Sequence, residues 1–231
     1  HHEDLVRAGE IGVDTIDAMV MSVLTLKKNI GLFDVPYTPK DYKLGVSDSA
    51  ATDCAHRQAS ESFVLLKNDN AVLPIDRKEI DSICLVGPMA DQPQEQLGTW
   101  VFDGDSGLSV TPLKAFQDTL HKDCEVIFER GLETTRSSCG ELAEVAVEKA
   151  SRCDVVVAII GEEAILSGEA HCRANINLPG DQVELVRRLK ATGKTVIVVI
   201  LSGRPLTIGN ILPHADAVLF ALHPGTMTGP A

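Results

Sequence analysis

Aromatic side chains are scarce in this sequence: six Phe, two Tyr and one Trp, or 4% of 231 residues. That disfavours a carbohydrate-binding module built on an aromatic platform and leaves single stacking residues as the alternative. Positive charge is also short. Lys and Arg total 21 against 33 Asp and Glu, a net charge of −12, so neither nucleic acid nor an anionic membrane surface is an expected partner. No window reaches the roughly 18 consecutive apolar residues of a membrane span. The first residues, His1-His2-Glu3-Asp4, lack the basic start and apolar run of a signal peptide. The six cysteines contain no C-x-x-C pair, so zinc ribbons and thioredoxin-like redox sites lack support. Most of the six are expected to be free thiols at core or boundary positions. Neither G-x-G-x-x-G nor a P-loop pattern occurs. Neither a metal nor an organic cofactor is expected.

What is present is the balance of a globular chain, 44% apolar and 23% charged. Ile16, Val20, Val23 and Leu24 at helical spacing predict a helix over Val13 to Gly31, with Asp14 as its cap and Gly31 as its stop. Pro36 and Pro39 among polar neighbours mark a linker. A second helix is predicted from Thr52 to Lys67, then a loop to Asp81. Beyond it the pattern changes to short apolar runs: Ser82–Val86, Glu125–Phe128, Asp154–Ile160, Thr195–Leu201 and Asp216–Leu222. Helical patterns lie between them, notably Cys139–Ser151 and Asp181–Thr192. β-Branched runs alternating with helices predict an α/β fold: a mostly parallel sheet of five to six strands with helices on both faces, a three-layer sandwich. The domains expected are 1–31, a terminal helical part of another domain; 32–50, a linker; and 51–231, the sandwich. The first helix has nothing within this sequence on which to bury its stripe. The last strand runs out where another helix would follow. The chain therefore reads as cut at both ends.

Ligands in such sheets sit beyond the carboxyl ends of the strands. The richest loop there is Gly161 to Arg173, with Glu162, Glu163, Glu169, His171, Cys172 and Arg173. Glu169 follows Ser167-Gly168, which suits close approach to a ligand, and Arg173, four residues on, is placed to orient or tune it. The plain alternative is a solvated acidic loop. A metal site on Glu163, Glu169, His171 and Cys172 fits no common zinc spacing. A Cys172–His171 nucleophilic pair is disfavoured because adjacent side chains point apart. Gly203-Arg204-Pro205 is expected to shape a strand-to-helix turn. The lone Trp100, in Gly98-Thr99-Trp100, is either a partly buried anchor or an exposed ring able to stack on a ligand.

Ten segments taken in order resemble the C-terminal region of glycoside hydrolase family 3, the family of many β-glucosidases. They include Gly31-Leu32-Phe33-Asp34, Glu61-Ser62-Phe63-Val64-Leu65-Leu66-Lys67-Asn68, Val86-Gly87-Pro88 and Gly98-Thr99-Trp100. They continue with Ser167-Gly168-Glu169-Ala170, Leu178-Pro179-Gly180, Ser202-Gly203-Arg204-Pro205-Leu206 and Pro224-Gly225. The resemblance implies the tail of a (β/α)8 barrel in residues 1–31, then the linker and most of the sandwich domain. It implies that the nucleophilic aspartate belongs to the barrel and that Glu169 is the general acid/base. It also implies that Trp100 lines the leaving-group subsite. The function it implies is a fragment of a retaining β-glucosidase-like enzyme acting on terminal β-glucosyl or xylosyl residues, inactive alone. Its expected partners are a β-glucoside or oligosaccharide substrate and the barrel of the same protein, with a homodimer open to it. Relatives in bacteria suggest a periplasmic or secreted protein. His171-Cys172, and Thr226-Met227-Thr228 after Pro224-Gly225, depart from the family pattern. Two other readings stand beside this one: a non-catalytic α/β binding domain, and a β-N-acetylglucosaminidase, against which a glutamate at 169 argues.

Overall fold

The computed structural model describes residues 1–41, 49–120 and 124–231. The chain divides into two compact units, His1–Val46 and Ser47–Ala231. The division falls within the predicted linker, of which residues 42–48 lie outside the described ones.

The first unit holds α1 (His2–Arg7) and α2 (Val13–Asn29). Gly12, not Asp14, is the N-cap of α2; Asp14 sits in the first turn, where its charge favours the helix dipole. Gly31 follows the helix at φ 76°, a conformation glycine adopts without Cβ strain. No residue of α2 is buried, and Met19, Val20, Val23 and Leu24 are exposed.

The second unit is built on a six-stranded sheet: β1 (Val64–Asn68), β2 (Ser82–Val86), β3 (Glu125–Glu129), β4 (Val155–Gly161), β5 (Thr195–Leu201) and β6 (Ala217–Leu222). Their order is β1-β6-β5-β4-β2-β3. All neighbours are parallel except β1, which runs antiparallel to β6. The apolar runs are continuous because both faces are covered. Val156, Ala158 and Ile160 face one core, with Ala143 and Ala146 of α5 (Glu141–Ala150) and Leu185 and Leu189 of α6 (Gln182–Lys190). Val155, Val157 and Ile159 face the other, with Leu113 and Phe116 of α4 (Pro112–Thr119). This second face retains an apolar cavity of about 420 Å³ lined by residues such as Phe63, Ile75, Phe116 and Val157.

Two elements depart from the sequence expectation. The predicted helix to Lys67 ends at Ser62 as α3 (Ser49–Ser62), and β1 follows. Phe63 and Leu66 have helical spacing, but pairing of Val64 with Phe220 and of Lys67 with Val218 draws the segment into the sheet. Lys67 fixes it there, donating to the carbonyls of Leu212 (2.7 Å) and Ala215 (2.6 Å). Helix α4 was not expected. Its signals are nonetheless local: the Thr111 hydroxyl accepts from the Lys114 N–H (3.2 Å), and Pro112 opens the first turn.

At the amino edge of the sheet, aspartates pin the strand starts. Asp154 accepts from the N–H groups of Asp81 and Ser82, both at 2.9 Å, and these bonds hold its carboxyl below the usual carboxylate range. Asp216 accepts from Val196 N–H (2.8 Å) and pairs with Lys190 (2.7 Å). The chemistry-bearing loops leave from the opposite edge.

Candidate active site

Strand β4 ends at Gly161, whose φ is 145° and where a Cβ would lie 1.7 Å from the Leu201 carbonyl oxygen. Only glycine fits there. Buried Gln182 holds the strand end from both sides, accepting from Gly161 N–H (2.8 Å) and donating to the Gly161 and Pro179 carbonyls (2.9 and 3.0 Å). The loop from Glu162 to Leu178 starts from this fixed point.

The carboxylates of this loop diverge sharply. Glu162 is 0% exposed. One oxygen accepts from Arg173 Nη1, and the other from Arg204 Nε (3.1 Å) and Ser202 Oγ (3.2 Å). Glu163 points elsewhere, to Thr135 and Arg136 (Nε–Oε2 3.0 Å). Burial raises its carboxyl pKa, but those bonds outweigh burial and leave it below the ordinary glutamate value. It borders a polar cavity of about 200 Å³ shared with Glu95, Arg130 and Glu133. Glu169 is exposed, and among the described residues it makes no ion pair or hydrogen bond.

Glu169 stands at the tip of a turn closed by the His171 N–H donating to the Gly168 carbonyl (3.2 Å). Ala170, the third residue of that turn, has φ 64°, the sign a type II turn demands there and usually obtains from glycine. The loop around the turn is braced from two sides. From one side, Arg204 Nη2 donates to the carbonyls of Leu166 and His171 (2.8 Å). From the other, Thr99 Oγ1 bonds the carbonyls of Ala164 and Ser167 (2.8 Å). Gly168, at φ 104°, lies against Thr99, and a Cβ there would come within 2.5 Å of Thr99 Cγ2. His171 Nδ1 sits 3.0 Å from the Ser167 carbonyl oxygen.

Thr99 therefore joins the two predicted site segments, because its neighbour Trp100 is carried on the same short loop. Trp100 is 62% exposed, so it is the open ring and not the buried anchor. Its only ring neighbour among the described residues is Phe102, edge-on at 6.5 Å and 71°. Beneath both loops lies His223, which follows β6. Its ring packs within about 3.0–3.2 Å of where a Cβ on Gly98 would stand. Both ring nitrogens are buried and have no hydrogen-bond partner of good geometry among the described residues. Burial holds the His223 pKa below the ordinary histidine value, against the opposing pulls of the Glu95 backbone and of the Glu162 charge.

The structure corrects two expectations about individual residues. Arg173 does not orient Glu169; it is spent on Glu162 and on the Asn177 carbonyl (3.0 Å). Gly203-Arg204-Pro205 leads into no helix, but to a bridge between Thr207 and Asn177 and a 3-10 turn at Leu212–His214. Arg204 was the residue missed. Its hints in the sequence were its place in the segment Ser202-Gly203-Arg204-Pro205-Leu206 and an acid, Glu162, just after the preceding strand. Cys172 is exposed and His171 is turned toward Ser167. Among the described residues, no three His, Cys, Asp or Glu side chains are grouped as a metal would require. No helix among them is long and apolar enough to cross a membrane.

A profile of the Glycosyl hydrolase family 3 C-terminal domain matches residues 63–231. The chain belongs to glycosyl hydrolase family 3. A periplasmic beta-glucosidase of Salmonella typhimurium is 32% identical, over 98% of this chain and 33% of its own length. A beta-xylosidase of Formosa agariphila is also 32% identical, over 94% and 30%. The crystal structure of a beta-glucosidase from Listeria innocua in complex with isofagomine superposes with a TM-score of 0.86 at 28% identity, covering 99% of this chain and 31% of that one. This family 3 chain thus spans about a third of the relatives it matches.

Proposed function

We propose that this chain supplies the general acid/base of a retaining β-glucosidase-like or xylosidase-like glycoside hydrolase, and that Glu169 is that group. The observation that carries the reading is the contrast along one loop: Glu162 is consumed by two arginines, whereas Glu169 is held out on a braced turn at the carboxyl edge of the sheet. Ligand sites of open α/β sheets lie at that edge. The divergence of Arg173 from Glu169 favours the enzymatic reading over a binding domain, because an internal pair would have silenced the acid.

The reaction needs two carboxyl groups about 5–5.5 Å apart, one the nucleophile and one the acid, then base. Glu169 protonates the glycosidic oxygen as the bond to the anomeric carbon breaks. It then takes a proton from the water that releases the sugar. The nucleophilic aspartate comes from the barrel domain that family membership implies, with residues 1–31 as that barrel's tail, 32–50 as a linker and 51–231 as the sandwich. A sugar seated against the barrel would cover Glu169 and exclude water from it, as the acid role requires. Trp100, exposed on the loop tied to the Glu169 loop, stacks on the leaving group. Terminal β-glucosyl and β-xylosyl residues are the proposed substrates, and the periplasmic relative favours an exported protein.

In the complete enzyme, Glu169→Ala should lose roughly 100- to 10,000-fold on alkyl glucosides. Azide should restore the rate on activated aryl glucosides. Absence of any rescue would remove Glu169 from the acid role. The 231-residue chain alone should show no turnover of an aryl β-glucoside, and turnover comparable to a complete enzyme would refute the division of labour.

A further inference from the structure

We infer that Arg204 is the positioning residue of this site: anchored on buried Glu162, it holds the turn that presents Glu169. The inference rests on the acid/base reading of Glu169. Arg204 lies 42 positions from Glu162 and follows a different strand, β5. Its Nε donates to Glu162 Oε2 at 3.1 Å. Its Nη2, which carries two hydrogens, donates to the carbonyl three residues before Glu169, at Leu166, and to the one two residues after it, at His171. One guanidinium thus spans both stems of the turn whose tip is Glu169.

The planar fork suits this task. Nε and Nη2 reach different groups from a rigid frame, whereas a lysine offers a single flexible ammonium. The anchor is fixed in turn. Arg173 binds the other oxygen of Glu162 and then the Asn177 carbonyl, so the far stem of the loop is tied to the same carboxylate. Ser202 Oγ, at 3.2 Å from Glu162 and 2.8 Å from the Arg204 carbonyl oxygen, keeps the arginine's own backbone in place. Thr99 braces the loop from the opposite side. None of these groups bonds the Glu169 carboxyl itself. Their effect on catalysis is therefore to set where the carboxyl stands, and a displacement of about 1 Å there costs on the order of 100-fold in rate.

The test pairs two measurements on Arg204→Met and Arg204→Lys. In this chain, hydrogen exchange of amides 166–171 should rise about tenfold or more, while those of β4 and β5 stay unchanged. In the complete enzyme, kcat on a methyl β-glucoside, whose leaving group needs a proton, should fall about 100-fold. KM on that substrate should move less than about threefold, and kcat/KM on 2,4-dinitrophenyl β-glucoside should fall less than about threefold, because it reports cleavage of a bond whose leaving group departs unprotonated. Lysine should recover part of the loss. Should Arg204→Met not fold, the double variant Glu162→Gln/Arg204→Met removes the buried carboxylate together with one of its two guanidinium partners and carries the same expectations. Unchanged loop exchange would overturn the inference. So would equal losses of kcat/KM on the two substrates, if Glu169→Gln in parallel is leaving-group selective in kcat/KM; the acid assignment then survives. If Glu169→Gln is itself unselective, the acid assignment falls and takes this inference with it.

Discussion

Glu162 and Glu169 lie seven residues apart on one loop and have opposite fates. The first is fully buried and its oxygens are taken by Arg173, Arg204 and Ser202; the second is exposed and, among the described residues, unpaired. Taking a carboxylate out of water costs several kcal/mol unless charge-assisted bonds replace the lost hydration. Glu162 obtains three, and in exchange its bonds organise two loops. Among the described residues Glu169 makes no such bonds and stays open to solvent. Identical side chains thus divide into buried scaffold and exposed carboxylate according to whether cations from distant segments converge on them.

The comparison can be broken most forcefully at Glu162. Glu162→Ala should cost about 3–5 kcal/mol by urea denaturation, since it strands two arginines in a site built for a carboxylate. Glu169→Ala should leave the urea midpoint of this chain unchanged, and a comparable loss there would make Glu169 a structural residue. Next in size is Gly168→Ala, which adds a Cβ 2.5 Å from Thr99 Cγ2 at φ 104°. It should cost about 1–3 kcal/mol and uncouple the Trp100 loop from the Glu169 loop, visible as faster hydrogen exchange in both.

His223 sharpens the contrast through pH. Its folded pKa is depressed, so the unfolded chain binds the proton more readily. Stability should therefore fall as pH drops through about 6.5 toward the folded value, with a slope approaching 1.4 kcal/mol per pH unit. Thermal melts from pH 7.5 to 5 should show this slope, and His223→Leu should flatten it. The smallest effect is expected at Ala170. Replacement by glycine should relieve the positive φ and add up to about 1 kcal/mol to stability. It should also loosen the tip and lower the activity of the complete enzyme.

Much of this was readable along the chain. The runs Ser82–Val86 and Thr195–Leu201 are strands β2 and β5 to the residue. Each is a short β-branched or apolar stretch between turn residues, and such stretches carry their own signal. The runs predicted from Asp154 and Asp216 begin one residue later, because those aspartates accept bonds from neighbouring strands instead of extending their own. Strand β1 was hidden because Phe63 and Leu66 also satisfy a helical period, and only its partner β6 decides between the two. At the candidate site, the loop and its exposed glutamate could be marked from Ser167-Gly168-Glu169-Ala170. The brace could not: Arg173, close in sequence, is the natural partner to guess, whereas the residue that holds the turn is Arg204.

The order of residues by itself therefore determined the parallel sheet, the edge from which the working loops leave, and membership of family 3. These follow from local hydrophobic patterning, from turn chemistry and from motifs that recur in order. Which carboxylate is buried and which is offered was decided only by tertiary structure. That choice depends on guanidinium groups arriving from β5 and from the far end of the loop. A low-dielectric interior accepts a charge only where such groups meet it.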